Sequence, residues 1–168
     1  MIREIGVRRM RVNILAGLMW AAALTGCGFQ LRGQAQLPFE SAHVEAIRSS
    51  TLAPALRASL SSQNKLAAKA DGAAVRILLA DEARGKTILA LSGGGKVREY
   101  RLSYRVVMAV LDAQGKELGA PSEIVLNRDF SYSDAEILAK GAEEATLYRA
   151  MEQDALRQVL RRLSYVRR

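Results

Sequence analysis

Tyr100-Arg101-Leu102-Ser103-Tyr104-Arg105-Val106-Val107-Met108-Ala109-Val110 is the most regular stretch of the chain, and its alternation sets the fold. In an extended strand Tyr100, Leu102, Tyr104, Val106, Met108 and Val110 share one face, while Arg101, Ser103 and Arg105 open the other. One face is apolar and the other begins polar, the pattern of an antiparallel sheet with one packed side and one wet side. Upstream, Thr87–Leu91 continues extended, and Ser92-Gly93-Gly94-Gly95-Lys96 reads as a flexible hairpin tip. Downstream, Asp112-Ala113-Gln114-Gly115 is a turn and Pro121 closes the loop that follows. Ile124, Leu126, Phe130 and Tyr132 then share the face of a second strand, with Arg128 among them.

Further out the signals alternate between strand and helix. His43–Arg48 reads as a short strand on which Val44 and Ile47 cannot share a face. Leu52, Leu56 and Leu60 recur every four residues after Thr51, a cap candidate, with Pro54 in the first turn and an end near Asn64. Asp71-Gly72 is a break, and Ala74–Ala80 is a strand with Val75, Ile77 and Leu79 on one side. The last element is a long helix, with Glu143 and Glu144 expected in its first turn and Arg161 and Arg162 near its end, matching the helix dipole. Tyr148, Met151, Ala155, Leu156, Val159, Leu160 and Leu163 form its apolar stripe. The order predicts an α+β fold: a two-layer sandwich of a mostly antiparallel four-stranded sheet with two helices packed on one face.

The amino terminus carries a different signal. Arg3, Arg8, Arg9 and Arg11 precede an apolar run from Val12 to Leu24, broken only by Asn13. At ~1.5 Å per residue the run spans roughly 20 Å, short of the ~30 Å hydrocarbon core of a bilayer, so it fits a secretory signal better than a permanent span. Leu24-Thr25-Gly26-Cys27 completes the cleavage pattern of a bacterial lipoprotein. Residues 1–26 are expected to be the signal peptide, and Cys27 the acylated first residue of the mature chain. Two or three acyl chains there would make a stable anchor, where one would bind only marginally. Cys27 is the only cysteine of the chain, so no disulfide forms within it. Gly28 rather than aspartate follows it, which points to sorting to the outer membrane. Cys27 to Pro38 reads as an extended lead-in to one domain, residues 27–168, facing the periplasm.

The full chain has a formal charge of +8; without residues 1–26, 21 basic and 16 acidic groups remain, a net +5. A basic surface attracts polyanions or anionic lipid. Export and the lack of any nucleic-acid-binding motif exclude nucleic acid, leaving lipopolysaccharide as the abundant fixed anion of a Gram-negative envelope.

Catalysis finds no support. His43 is the only histidine, and no cluster has metal-ligand spacing. Gly93-Gly94-Gly95-Lys96 lacks the first glycine of a phosphate loop, has Val97 where serine or threonine should hold magnesium, and leads into a strand. Asp134 and Glu136 stand two apart with no supporting partner. The expectation is no enzyme, no cofactor and no metal.

These residues resemble one family closely, the lipopolysaccharide-assembly lipoproteins called LptE. The match runs from Cys27-Gly28-Phe29-Gln30-Leu31-Arg32-Gly33 through Glu99-Tyr100 and Arg128-Asp129-Phe130-Ser131-Tyr132. It ends with Leu138-Ala139-Lys140, Glu143-Glu144 and the terminal helix. The resemblance implies a one-to-one plug inside a large outer-membrane β-barrel partner, LptD. It further implies help in the barrel's assembly and contact with lipopolysaccharide in transit to the cell surface. The body would then face the periplasm and the barrel lumen, tied to the membrane by its lipid.

Lipopolysaccharide contact should fall to lysine and arginine facing phosphates. Lys140 matches the basic residue of the family's Leu-Ala-Lys run, and Lys96, Arg98 and Arg101 flank the hairpin matching a family loop implicated in that contact. Here the chain departs from the pattern: the arginine other members carry near the tip falls in the glycine run. The competing reading is a structural lipoprotein that stabilises a barrel without touching lipopolysaccharide. A third, an exported hydrolase or inhibitor, would depend on His43.

Overall fold

The computed structural model describes residues 36–166. The signal segment 1–26 and Cys27 lie outside the described residues. Within them the order is β1 (Ala42–Ala46), α1 (Leu52–Ser62), β2 (Val75–Leu91), β3 (Val97–Asp112), β4 (Ser122–Ser131), a 3-10 turn (Asp134–Glu136) and α2 (Ile137–Leu163). The four strands form one sheet in the order β1-β2-β3-β4.

The α+β class with four strands and two helices stands; the expectation of a mostly antiparallel sheet is corrected. The sheet is mixed: β1 runs parallel to β2, with Ala42 opposite Val75 and Ala46 opposite Leu79, while β2–β3 and β3–β4 are antiparallel. The cause is the connection. A tight turn reverses the chain, whereas the segment through α1 is a crossover that lets β2 leave in the direction of β1.

The tyrosine strand behaves as its alternation requires. Leu102, Tyr104, Val106, Met108 and Val110 are buried. They join Ala42, Val44, Val75, Ile77, Leu79, Ile124 and Phe130 from the other strands in one core. Leu52, Leu56 and Leu60 of α1 and Met151, Ala155, Val159 and Leu163 of α2 complete it. Val44 is buried and Ile47 exposed, as their separate faces predict. On the open face, Arg76 pairs with Glu45 at 3.0 Å, and Arg105 meets both Asp81 at 2.5 Å and Glu123.

Two local expectations change. Thr51 precedes α1, but its side chain makes no cap bond; Ser50 Oγ accepts the Ala53 N–H at 2.9 Å instead. The terminal helix begins at Ile137, so Glu143 and Glu144 sit in its second turn and no acid occupies the first.

The third difference decides the site. Rather than two short extended pieces, β2 is one strand of 17 residues with a bulge between Leu79 and Asp81. Leu79 opposes Met108 on the core face, but after the bulge Glu82 opposes Val106, Arg84 opposes Tyr104 and Lys86 opposes Leu102. One inserted residue exchanges the faces of everything beyond it. Even-numbered charged residues therefore point towards the helices.

Candidate functional site

The β2–β3 turn, the end of β4 and the first two turns of α2 meet at one end of the sheet. The turn at Ser92–Lys96 closes through Ser92 N–H to Lys96 O at 2.7 Å and Gly95 N–H to Ser92 O at 2.9 Å. Gly95 sits at φ +76°, a conformation that favours glycine. Lys96 and Arg98 are exposed. Neither forms an ion pair among the described residues. By strand alternation Arg98 shares the face of Tyr100, and its carbonyl accepts the Tyr132 N–H at 2.8 Å.

Lys140 stands beside them in a different state. Its side chain is 14% exposed, and its ammonium donates to Glu143 Oε2 at 2.9 Å and Ser131 Oγ at 3.2 Å. Arg101 points to the opposite face and grips Asp129 through two bonds, at 2.7 and 2.8 Å. That bond, with the carboxylate's charge, raises the guanidinium pKa and lowers that of Asp129. The structure thus brings Lys96, Arg98 and Lys140 to one end and leaves Arg101 neutralised on the far face. Cys27 lies outside the described residues.

The end also carries exposed aliphatic side chains. Ile88, Leu89 and Leu91 of β2 are 51%, 42% and 57% exposed, and Ile137 and Leu138 of α2 are 61% and 88% exposed. Free cations beside exposed aliphatics suit an anionic amphiphile better than a soluble anion.

Sequence reasoning missed the charged row behind the bulge. Lys86 Nζ lies 4.2 Å from the Tyr100 ring centroid and 5.8 Å from those of Phe130 and Tyr132, and it donates to Glu144 Oε2 at 2.6 Å. The Glu144 bond is the main cause of its raised pKa, against the effect of burial. Arg84 pairs with Glu152 and lies over the Tyr148 ring, whose hydroxyl donates to Gly85 O at 2.7 Å. Glu82 receives Tyr104 Oη at 2.6 Å, Thr51 Oγ1 at 2.5 Å, the N–H groups of Thr51 and Leu52 at 3.1 and 3.3 Å, and the Ser50 hydroxyl. The only sequence signal for this row is the broken alternation at Ala80-Asp81-Glu82-Ala83.

Elsewhere the groups available for chemistry are already engaged. His43 Nδ1 is 3.0 Å from Ala67 O, which makes that nitrogen the protonated one. No group of three or more potential metal ligands occurs among the described residues. A hollow of about 770 Å³ lies at the other end of β3, lined by Met108, Val110, Leu118 and Tyr165 among others, away from the candidate cations.

Residues 39–163 match the family model described as LptE, lipopolysaccharide-assembly. The chain belongs to the LptE family. It is 32% identical over 161 residues to the LPS-assembly lipoprotein LptE of Photorhabdus laumondii, covering 92% of this chain and 87% of that protein. Among solved structures it resembles an uncharacterized lipoprotein B of Nitrosomonas europaea, with a TM-score of 0.72 and 41% identity over 82% of this chain and 90% of that one. The rare lipoprotein B of Shewanella oneidensis shares the fold, with a TM-score of 0.63 and 23% identity over 74% of this chain and 93% of that one. Membership of the LptE family gives the chain a role in lipopolysaccharide assembly, as a lipoprotein and not as an enzyme. No described helix is long and apolar enough to cross a membrane.

Proposed function

We propose that the protein is an outer-membrane lipoprotein, acylated at Cys27 after removal of residues 1–26, whose single domain of residues 27–168 plugs the LptD β-barrel one-to-one. In this reading it assists the barrel's assembly and contacts lipopolysaccharide during transport, with the body facing the periplasm and the lumen. The observation that carries the glycolipid contact is the pair Lys96 and Arg98, exposed and without an acidic partner among the described residues, at the end that also exposes Ile137 and Leu138. Lys140 borders this surface; Arg101, bound to Asp129, is not part of it. The plug reading is supported by the open sheet face, whose ion pairs suit a polar, water-filled lumen. The core shared by both helices supports their lying as one layer on the opposite face.

The test is charge reversal at Lys96 and Arg98 together, in the full-length protein. Affinity for purified lipopolysaccharide should fall severalfold while the barrel still copurifies. The purely structural reading has one observation in its favour: two of the four candidate cations, Lys140 and Arg101, already hold carboxylates. Unchanged affinity in the double variant would select it.

A further inference from the structure

We propose that Lys86 is the positioning residue of this end, the group that fixes the first turns of α2 against the hairpin and thereby sets where Lys140 stands relative to Lys96 and Arg98. The proposal rests on reading this end as the lipopolysaccharide contact.

The start of α2 has little else to hold it. Glu136 precedes it without a side-chain cap bond, and Gly141 occupies its second turn. Glycine in a helix interior weakens it, and a helix start without a cap leaves N–H groups unpaired. Ile137 and Leu138 are exposed, so no apolar packing fastens the first turn, and the first fully buried residue of the helix is Met151. The Lys140–Glu143 pair lies within the helix and moves with it; only the bond to Ser131 ties Lys140 to the sheet.

Lys86 supplies the missing tie. It projects from the core face because of the bulge before Asp81. Its ammonium faces three rings that also touch one another: Tyr100 stacks on Phe130 at 5.9 Å and meets Tyr132 edge-on at 5.1 Å. A cation over aromatic faces and against a carboxylate is restrained from several directions at once. Glu144, its partner, is four residues from Lys140 and so on the same helix face one turn away. Whatever holds Glu144 holds Lys140.

The test uses full-length protein in detergent with Lys86→Met, Lys86→Arg, Lys140→Ala and the double variant Lys86→Met/Lys140→Ala. Hydrogen exchange at amides 139–145 should quicken roughly tenfold or more in Lys86→Met, while the global unfolding temperature changes little. Lipopolysaccharide affinity should fall by about the factor Lys140→Ala gives, and the double variant should be no weaker than the weaker single one. Lys86→Arg, which keeps the charge over the rings, should retain both properties. Unchanged exchange in Lys86→Met overturns the proposal, as do losses that multiply in the double variant. A wild-type chain that binds no lipopolysaccharide overturns the reading beneath it; the exchange data, which need no ligand, tell the two failures apart.

Discussion

At the scale of single residues, Glu82 carries the largest concentration of polar contacts in the core region, and its ionised form is what those contacts require. Its five donors come from the Ser50–Leu52 segment ahead of α1 and from Tyr104 on β3, so one carboxylate joins a helix start to the sheet. Burial pushes its pKa up, but the bonds from Ser50, Thr51, Tyr104 and Leu52 together pull it below the ordinary 4.5. The same contact and burial raise the Tyr104 hydroxyl well above its usual value, keeping it a donor. The sign follows: a carboxyl with a depressed folded-state pKa contributes stability that is complete above about 4.5 and is lost as pH falls through the lower folded value. Glu82→Gln presents an amide N–H₂ where donors already converge, and should cost roughly 1–3 kcal/mol. Urea unfolding at neutral pH should show a lower midpoint with an unchanged slope. The gap to wild type should narrow as the pH is taken below about 4. A gap that stays constant with pH would show that the charge of Glu82 is not what matters.

At the scale of elements, the bulge between Leu79 and Asp81 separates what could be read from the sequence from what could not. The tyrosine strand, both turns at Ser92–Lys96 and Asp112–Gly115, the β4 face and the apolar stripe of α2 were all legible because their periods run unbroken. The parallel step at β1–β2 was hidden because alternation within a strand carries no direction. The charged row of Glu82, Arg84 and Lys86 was hidden because an inserted residue resets a period of two, and no residue type in Ala80-Asp81-Glu82-Ala83 announces it. Of the candidate cations, Lys96, Arg98 and Lys140 could be grouped from topology. That Lys140 and Arg101 hold carboxylates depends on side-chain geometry alone. Deleting Ala80 tests the account. Without the extra residue, Asp81, Ala83, Gly85 and Thr87 would turn to the helices, and Glu82 and Lys86 would leave them. Loss of Glu82's contacts and of the Lys86 tie together should destabilise the protein by several kcal/mol, on the order of a severe core substitution. A control deletion of Gly94 at the exposed tip should cost much less. Equal effects would mean that the length of β2, not its change of face, is what the fold needs.

At the scale of the whole molecule, two sets of charges do different work, and salt separates them. The ion pairs of the open face, such as Arg101–Asp129 and Arg105–Asp81, are close to half exposed, so each adds little to stability. The cations at the hairpin end have no acidic partner in the case of Lys96 and Arg98, and their attraction for a phosphate acts across solvent. Raising salt from about 50 mM to about 500 mM shortens the screening length from roughly 14 Å to roughly 4 Å. Thermal unfolding of the purified protein should therefore change by only a few degrees over that range. Affinity for lipopolysaccharide should fall several-fold but not vanish, because the exposed Ile88, Leu91, Ile137 and Leu138 give an apolar contribution that salt does not screen. With Lys96 and Arg98 reversed, the residual affinity should become nearly independent of salt. Were affinity and unfolding temperature to fall together, salt would be acting through the fold, and the basic end would lose its claim to the contact.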